Sequence, residues 1–149
     1  MVQRKSASLE VRIRRDLDFL FNREGTAFRS CATDSRGDVE AEVVAGNVVF
    51  QFVWNIREGE DRVMVAPRDG RGVWEFVHVA LAASTGEDVR SLSVPFSYAD
   101  DPGTVSYVGL SQLRFVLQPR FEQLNDAFAP GSYEATRLRM AHIEHKLTK

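Results

Sequence analysis

The tightest constraint on this chain's fold is an alternation of apolar and polar residues on both sides of a Gly-Asn dipeptide. Val39, Ala41 and Val43 alternate with Asp38, Glu40 and Glu42, and Phe50, Phe52, Trp54 and Ile56 alternate with Gln51, Val53 and Asn55. A period of two sends successive side chains to opposite faces of an extended strand. Gly46-Asn47, between the two runs, is a two-residue hairpin turn. It pairs Val43 with Phe50, Ala41 with Phe52 and Val39 with Trp54, all on one face. A tight turn at Glu58-Gly59 sets Trp54 opposite Val63 and Phe52 opposite Val65. A loop at Asp34-Ser35-Arg36-Gly37 sets Phe28 opposite Val43 and Arg29 opposite Glu42. The three turns agree on one apolar face, and a one-residue slip in any of them would break the agreement. Residues 26–67 are therefore expected to form a four-stranded antiparallel meander.

Helical spacing flanks this region. Leu9, Ile13, Leu17, Leu20 and Phe21 form one stripe on a helix from Ser8 to Phe21, which Gly25 ends. Trp74 to Ala83 reads as a short buried helix, with a fifth strand as the alternative. Residues 84–103, which include Pro95, Pro102 and Gly103, read as mostly loop. Leu110, Leu113, Leu117, Phe121, Leu124 and Phe128 continue one apolar stripe through Pro119, so a single helix kinked at the proline is expected. Ser132 is placed to cap a last helix, Tyr133 to Leu147, with Met140, Ile143 and Leu147 inward. The fold class is α+β: an N-terminal helix, a four-stranded antiparallel meander sheet, and C-terminal helices packed on its one strongly apolar face. With 149 residues and no internal repeat or long linker, a single domain over 1–149 is expected.

Net charge is −2, so overall charge does not draw the chain to nucleic acid or to an anionic membrane. No run approaches the ~20 apolar residues that span a bilayer. One cysteine excludes an internal disulfide and a cysteine-based zinc cluster, and a cytoplasmic, reducing setting is expected. The charge is uneven. Residues 1–23 carry six basic and three acidic side chains, and residues 34–61 carry two basic and seven acidic ones.

The chain contains no nucleophile elbow, phosphate loop, dinucleotide fingerprint or His-Glu-x-x-His motif. Asp69-Gly70-Arg71-Gly72 offers backbone N–H groups to an anion, but a solvated connector explains the same residues. His142 and His145 are spaced to share a metal, yet no third ligand can be named, so no metal or cofactor is expected. Cys31 as a nucleophile needs a base such as His78; cysteine is more commonly a small buried hydrophobe. Arg12, Arg14 and Arg15, with Arg4 and Lys5 upstream, are interleaved with Glu10, Asp16 and Asp18, as on a solvated helix face.

The second sheet face is the main functional lead. The deduced registers place Arg29, Cys31, Asp38, Glu40, Glu42, Val49, Gln51, Val53, Asn55, Arg62 and Met64 there. An acidic rim around Val49, Val53 and Met64 suits protein binding, and a solvated face chosen for strand propensity is the bland alternative. The helix ending Asp18 to Phe21, the alternating strands, Trp74-Glu75-Phe76 opening a short apolar helix, and Phe121, Leu124, Phe128-Ala129, Tyr133 and Thr136-Arg137 form an ordered pattern. That pattern resembles a family of small bacterial α+β proteins, some of them similar to immunity proteins that neutralise toxins. The resemblance implies a bacterial binding protein and carries over no functional residue. The expected function is non-enzymatic protein binding, of immunity or inhibitor type. The binding residues would be Asp38, Glu40, Glu42, Gln51, Val53, Asn55 and Arg62, against an unidentified protein partner with a basic surface. A ligand-binding or enzymatic pocket between sheet and helices, lined by Trp54, Trp74 and His78, is the alternative.

Overall fold

The computed structural model describes residues 2–35, 37–55, 60–70, 72–98, 101–107 and 110–147. Helix α1 (Val2–Asp16) and the single turn α2 (Asp18–Phe21) precede strands β1 (Ala27–Thr33), β2 (Val39–Ala45), β3 (Val48–Asn55) and β4 (Glu60–Pro67). A two-residue β5 (Glu75–Phe76) leads directly into α3 (Val77–Thr85). A 3₁₀ turn (Val89–Leu92) and a hairpin of β6 (Val94–Tyr98) and β7 (Asp101–Tyr107) follow. The chain closes with α4 (Leu110–Leu117), α5 (Phe121–Ala127) and α6 (Tyr133–Leu147). The main sheet is an antiparallel meander of five strands in the order β1-β2-β3-β4-β5, and β6 pairs with β7 as a separate two-stranded sheet. The fold is the expected α+β arrangement, with one more strand in the main sheet and a separate two-stranded hairpin.

The central hairpin has the expected register: Val43 faces Phe50, Ala41 faces Phe52 and Val39 faces Trp54. Gly46 has φ +59 and no described non-glycine residue has positive φ, which matches a type II′ turn with glycine first. The turn is clamped from outside. Asn47 donates its backbone N–H to Asn125 Oδ1 at 2.8 Å and its Nδ2 to the Asn125 carbonyl at 3.0 Å. A Cβ on Gly46 would collide with the Asn125 side chain, so glycine is required there twice over.

Two registers differ from expectation. Across β3–β4, Trp54 faces Asp61 and Phe52 faces Val63, two residues from the predicted pairs. Because the shift is even, every side chain keeps its face. The proposed Glu58-Gly59 turn lies outside the described residues. In β1, Phe28 faces Val43 as expected, but a bulge then follows and Ser30, not Arg29, faces Glu42. The extra residue reverses the rest of the strand. Cys31 now pairs with buried Ala41 and packs on the core from the inner face, which corrects its placement on the outer one.

Leu9, Ile13, Leu17 and Leu20 are buried as one stripe although the helix breaks at Leu17. Phe21 and Phe28 stack at 5.4 Å between ring centroids, with the Arg14 guanidinium over both rings. The Trp74–Ala83 segment is both things weighed for it: a two-residue strand, then a helix buried from Val77 to Ala83. The segment 84–103, expected to be mostly loop, instead holds β6 and the start of β7, whose hairpin runs on to Tyr107. At Pro119 the long stripe passes through one 3₁₀ turn (Gln118–Arg120), and Leu113, Leu117, Phe121 and Leu124 stay in one core. Arg120 donates to the Val116 carbonyl at 3.0 Å, beside the missing proline N–H, and grips both Glu87 oxygens. Helix α6 spans the expected residues and is tied to the end of α3 by Arg139, which donates to the Ala83 carbonyl at 2.9 Å.

Candidate protein-binding face

The registers arrange the outer side of the sheet in three rows that cross the strands. One row reads Ala32, Glu40, Val53 and Arg62; the next reads Ser30, Glu42, Gln51, Met64 and Phe76; the third reads Ala27, Val44, Val49 and Ala66. Neighbouring strands lie about 5 Å apart, so each row is a line of adjacent side chains. Polarity falls along the strands, from a charged row through a mixed row to an apolar one. Val49 and Ala66 are buried, yet neither belongs to the main core, as expected for residues on the side opposite to it.

Five of the seven expected binding residues are brought together by these pairings: Glu40, Glu42, Gln51, Val53 and Arg62. Glu40 is exposed and accepts a hydrogen bond from Gln51 Nε2 at 2.9 Å. Glu42 is less open than expected, with its side chain 17% exposed and 3.7 Å from Arg29. Asp38 sits just before β2, half-buried, its backbone N–H donated to Asp34 Oδ1 at 3.0 Å. Asn55 pairs through its backbone with Glu60, and its side chain lies outside the described residues. Phe76, 40% exposed, extends the mixed row and was missed in the sequence because a two-residue strand leaves no periodic signal.

The remaining candidates separate. His142 and His145 are exposed, and among the described residues no group of three or more His, Cys, Asp or Glu side chains is placed to hold a metal. Burial, and then the nearby Glu10 charge, push the Cys31 thiol up, away from the reactive thiolate. On α1, Arg14 pairs with Glu10 and Arg15 with Asp16. Arg71 of the glycine-rich loop lies outside the described residues. No helix among the described residues is long and apolar enough to cross a membrane.

The three residues named for the alternative pocket differ in burial. Trp54 packs against the core, Trp74 is 36% exposed and His78 is buried. None of them lines the groove of about 690 Å³ that opens between the β5 approach and α6, whose walls include Gly72, Glu75, Arg137, Met140, Glu144 and His145. The Glu75 carboxyl is pushed up to about 8 by burial and then by a hydrogen bond to Glu144, against an opposing bond from the Phe76 N–H. The His78 imidazole is lowered to about 4 by burial, opposed by the Glu144 charge. No family model, curated protein or solved structure matches the chain.

Proposed function

We propose that the chain is a non-enzymatic protein-binding domain, of inhibitor or immunity type, that engages a basic protein partner through the outer sheet face. The observation that carries this reading is the graded face itself. Glu40 and Glu42 stand on one strand, beside half-buried Val53 and Met64 and exposed Phe76. The carboxylates would steer a cationic partner, and the apolar side chains would supply contact area once it docks. A bacterial, cytoplasmic setting suits a chain of this type with one cysteine.

A photo-crosslinking side chain placed at position 53, opposite Glu40, and separately at exposed position 138 on α6, tests the reading in cells. The expected result is one discrete adduct from position 53 that is absent from position 138. Its yield should fall as salt rises, and adding Glu40→Lys should abolish it. No adduct from position 53, or the same adducts from both positions, overturns the reading.

A further inference from the structure

The main sheet ends at β1, which pairs with β2 on one side and, among the described residues, with no strand on the other. A terminal strand presents its outward N–H and C=O groups to any extended chain that comes alongside. Sheets commonly blunt such an edge with lysine, proline or a bulge. Strand β1 contains neither lysine nor proline. Its one bulge precedes Ser30, so Ser30–Thr33 keeps a regular register with β2.

The side chains along this edge leave a lane to the acidic row. Ser30 and Ala32 are exposed on the outer side, directly across from Glu42 and Glu40, and both are small. Glu40 and Glu42 stand two residues apart on one strand, a spacing of roughly 7 Å. Gln51 faces Glu42 but donates to Glu40, and Glu42 Oε1 is buried with no hydrogen-bond partner among the described residues. Arg29 Nε stands 3.7 Å from that oxygen, beyond hydrogen-bond reach, on a side chain 57% exposed. On the inner side, Cys31 packs on the core and Phe28 stacks on Phe21, so the surface beside the edge there is apolar.

Building on the functional reading above, we propose that the basic partner docks by adding a strand to the β1 edge, one in which arginine or lysine alternates with apolar residues. An added strand lies two strand spacings, about 10 Å, from β2, and a long cation and a glutamate close that distance over Ser30 and Ala32. Cations at alternate positions of the partner strand match the two-residue spacing of Glu40 and Glu42. One of them, moving Arg29 aside, supplies the donor that Glu42 Oε1 lacks. The intervening apolar side chains fall on the inner side, beside Cys31 and Phe28. Main-chain bonds to β1 give affinity, and the alternation gives specificity.

A short end-blocked peptide alternating arginine with valine, titrated by NMR against the isotope-labelled full chain, tests the proposal. The expected result is shifts concentrated in β1, with amide exchange slowed along Ser30–Thr33. Methylating alternate backbone nitrogens of the peptide keeps its charge but removes its donors on one edge, and should weaken binding about tenfold or more. Glu40→Lys should weaken it by a similar factor. No binding, equal binding of the methylated peptide, or shifts confined to β3 and β4 overturns strand addition. A concentration-dependent dimer of the chain, paired through β1 in sedimentation and NMR, overturns the choice of occupant. If the peptide fails while the adduct from position 53 persists, the outer-face reading stands and strand addition alone is lost.

Discussion

The two sides of the sheet hold carboxyl groups under contrasting conditions. On the outer side, Glu40 and Glu42 stand on β2 with Gln51 and Arg29 as neighbours. On the inner side, Glu75 sits level with core Val65 and meets a second carboxyl arriving from α6. Glu40 is open to solvent, while Glu75 is half-buried on a groove wall shared with Glu144. What separates them is whether a second element closes over the side chain. The contrast also separates stability from recognition: the inner side should govern folding and the outer side association.

The largest expected effect is on the inner side. Phe50→Ala, in the ring cluster with Phe52 and Phe121, should cost about 3–5 kcal/mol in denaturant unfolding. A cost below about 1 kcal/mol would mean that the inner face is not the core. Next comes Glu42→Lys, which sets a second cation beside Arg29 at a half-buried position and should cost about 1–2 kcal/mol. That variant breaks the simple picture of the outer face as freely exchangeable.

His78 sharpens the pH side of the comparison. Its folded value near 4 lies below the ordinary 6.5, so its contribution is present above 6.5 and is lost as pH falls toward 4. Glu75 acts in the opposite sense from 4.5 to about 8. The two offset each other between 4.5 and 6.5, and stability should fall from 6.5 to 8. In His78→Gln the offset disappears, so stability measured against pH should fall over the whole span from 4.5 to 8. An unchanged profile would show that His78 titrates normally in the folded chain. The smallest effect is for Glu40→Lys, within about 0.5 kcal/mol, since it loses one exposed hydrogen bond to Gln51.

The central hairpin was legible because two independent signals, alternation and a Gly-Asn turn, demand one register. The β3–β4 pairing was legible only in its parity: alternation is blind to an even shift, and the turn residues did not decide between a tight connection and a longer one. Cys31 was misplaced because a bulge leaves no mark on composition, yet it reverses every side chain beyond it. Pro95 and Pro102 hid a hairpin, since prolines read as breakers are tolerated at strand positions that donate no ladder bond. The outer rows were therefore largely foreseeable, while Phe76 was not. The Glu75–Glu144 contact joins elements far apart in the chain, and no local pattern encodes it.

The clamp of Asn125 on the Gly46-Asn47 turn bears on the order of events during folding. The hairpin closes over a two-residue turn, a local step that costs little loop entropy. Asn125 reaches that turn from 78 residues away and only after α5 has docked. Such a contact belongs to the late side of the folding barrier, where it slows unfolding far more than it hastens folding. The pair of asparagines therefore acts on the lifetime of the native state, keeping the sheet's turn and the helical layer from parting once both are in place.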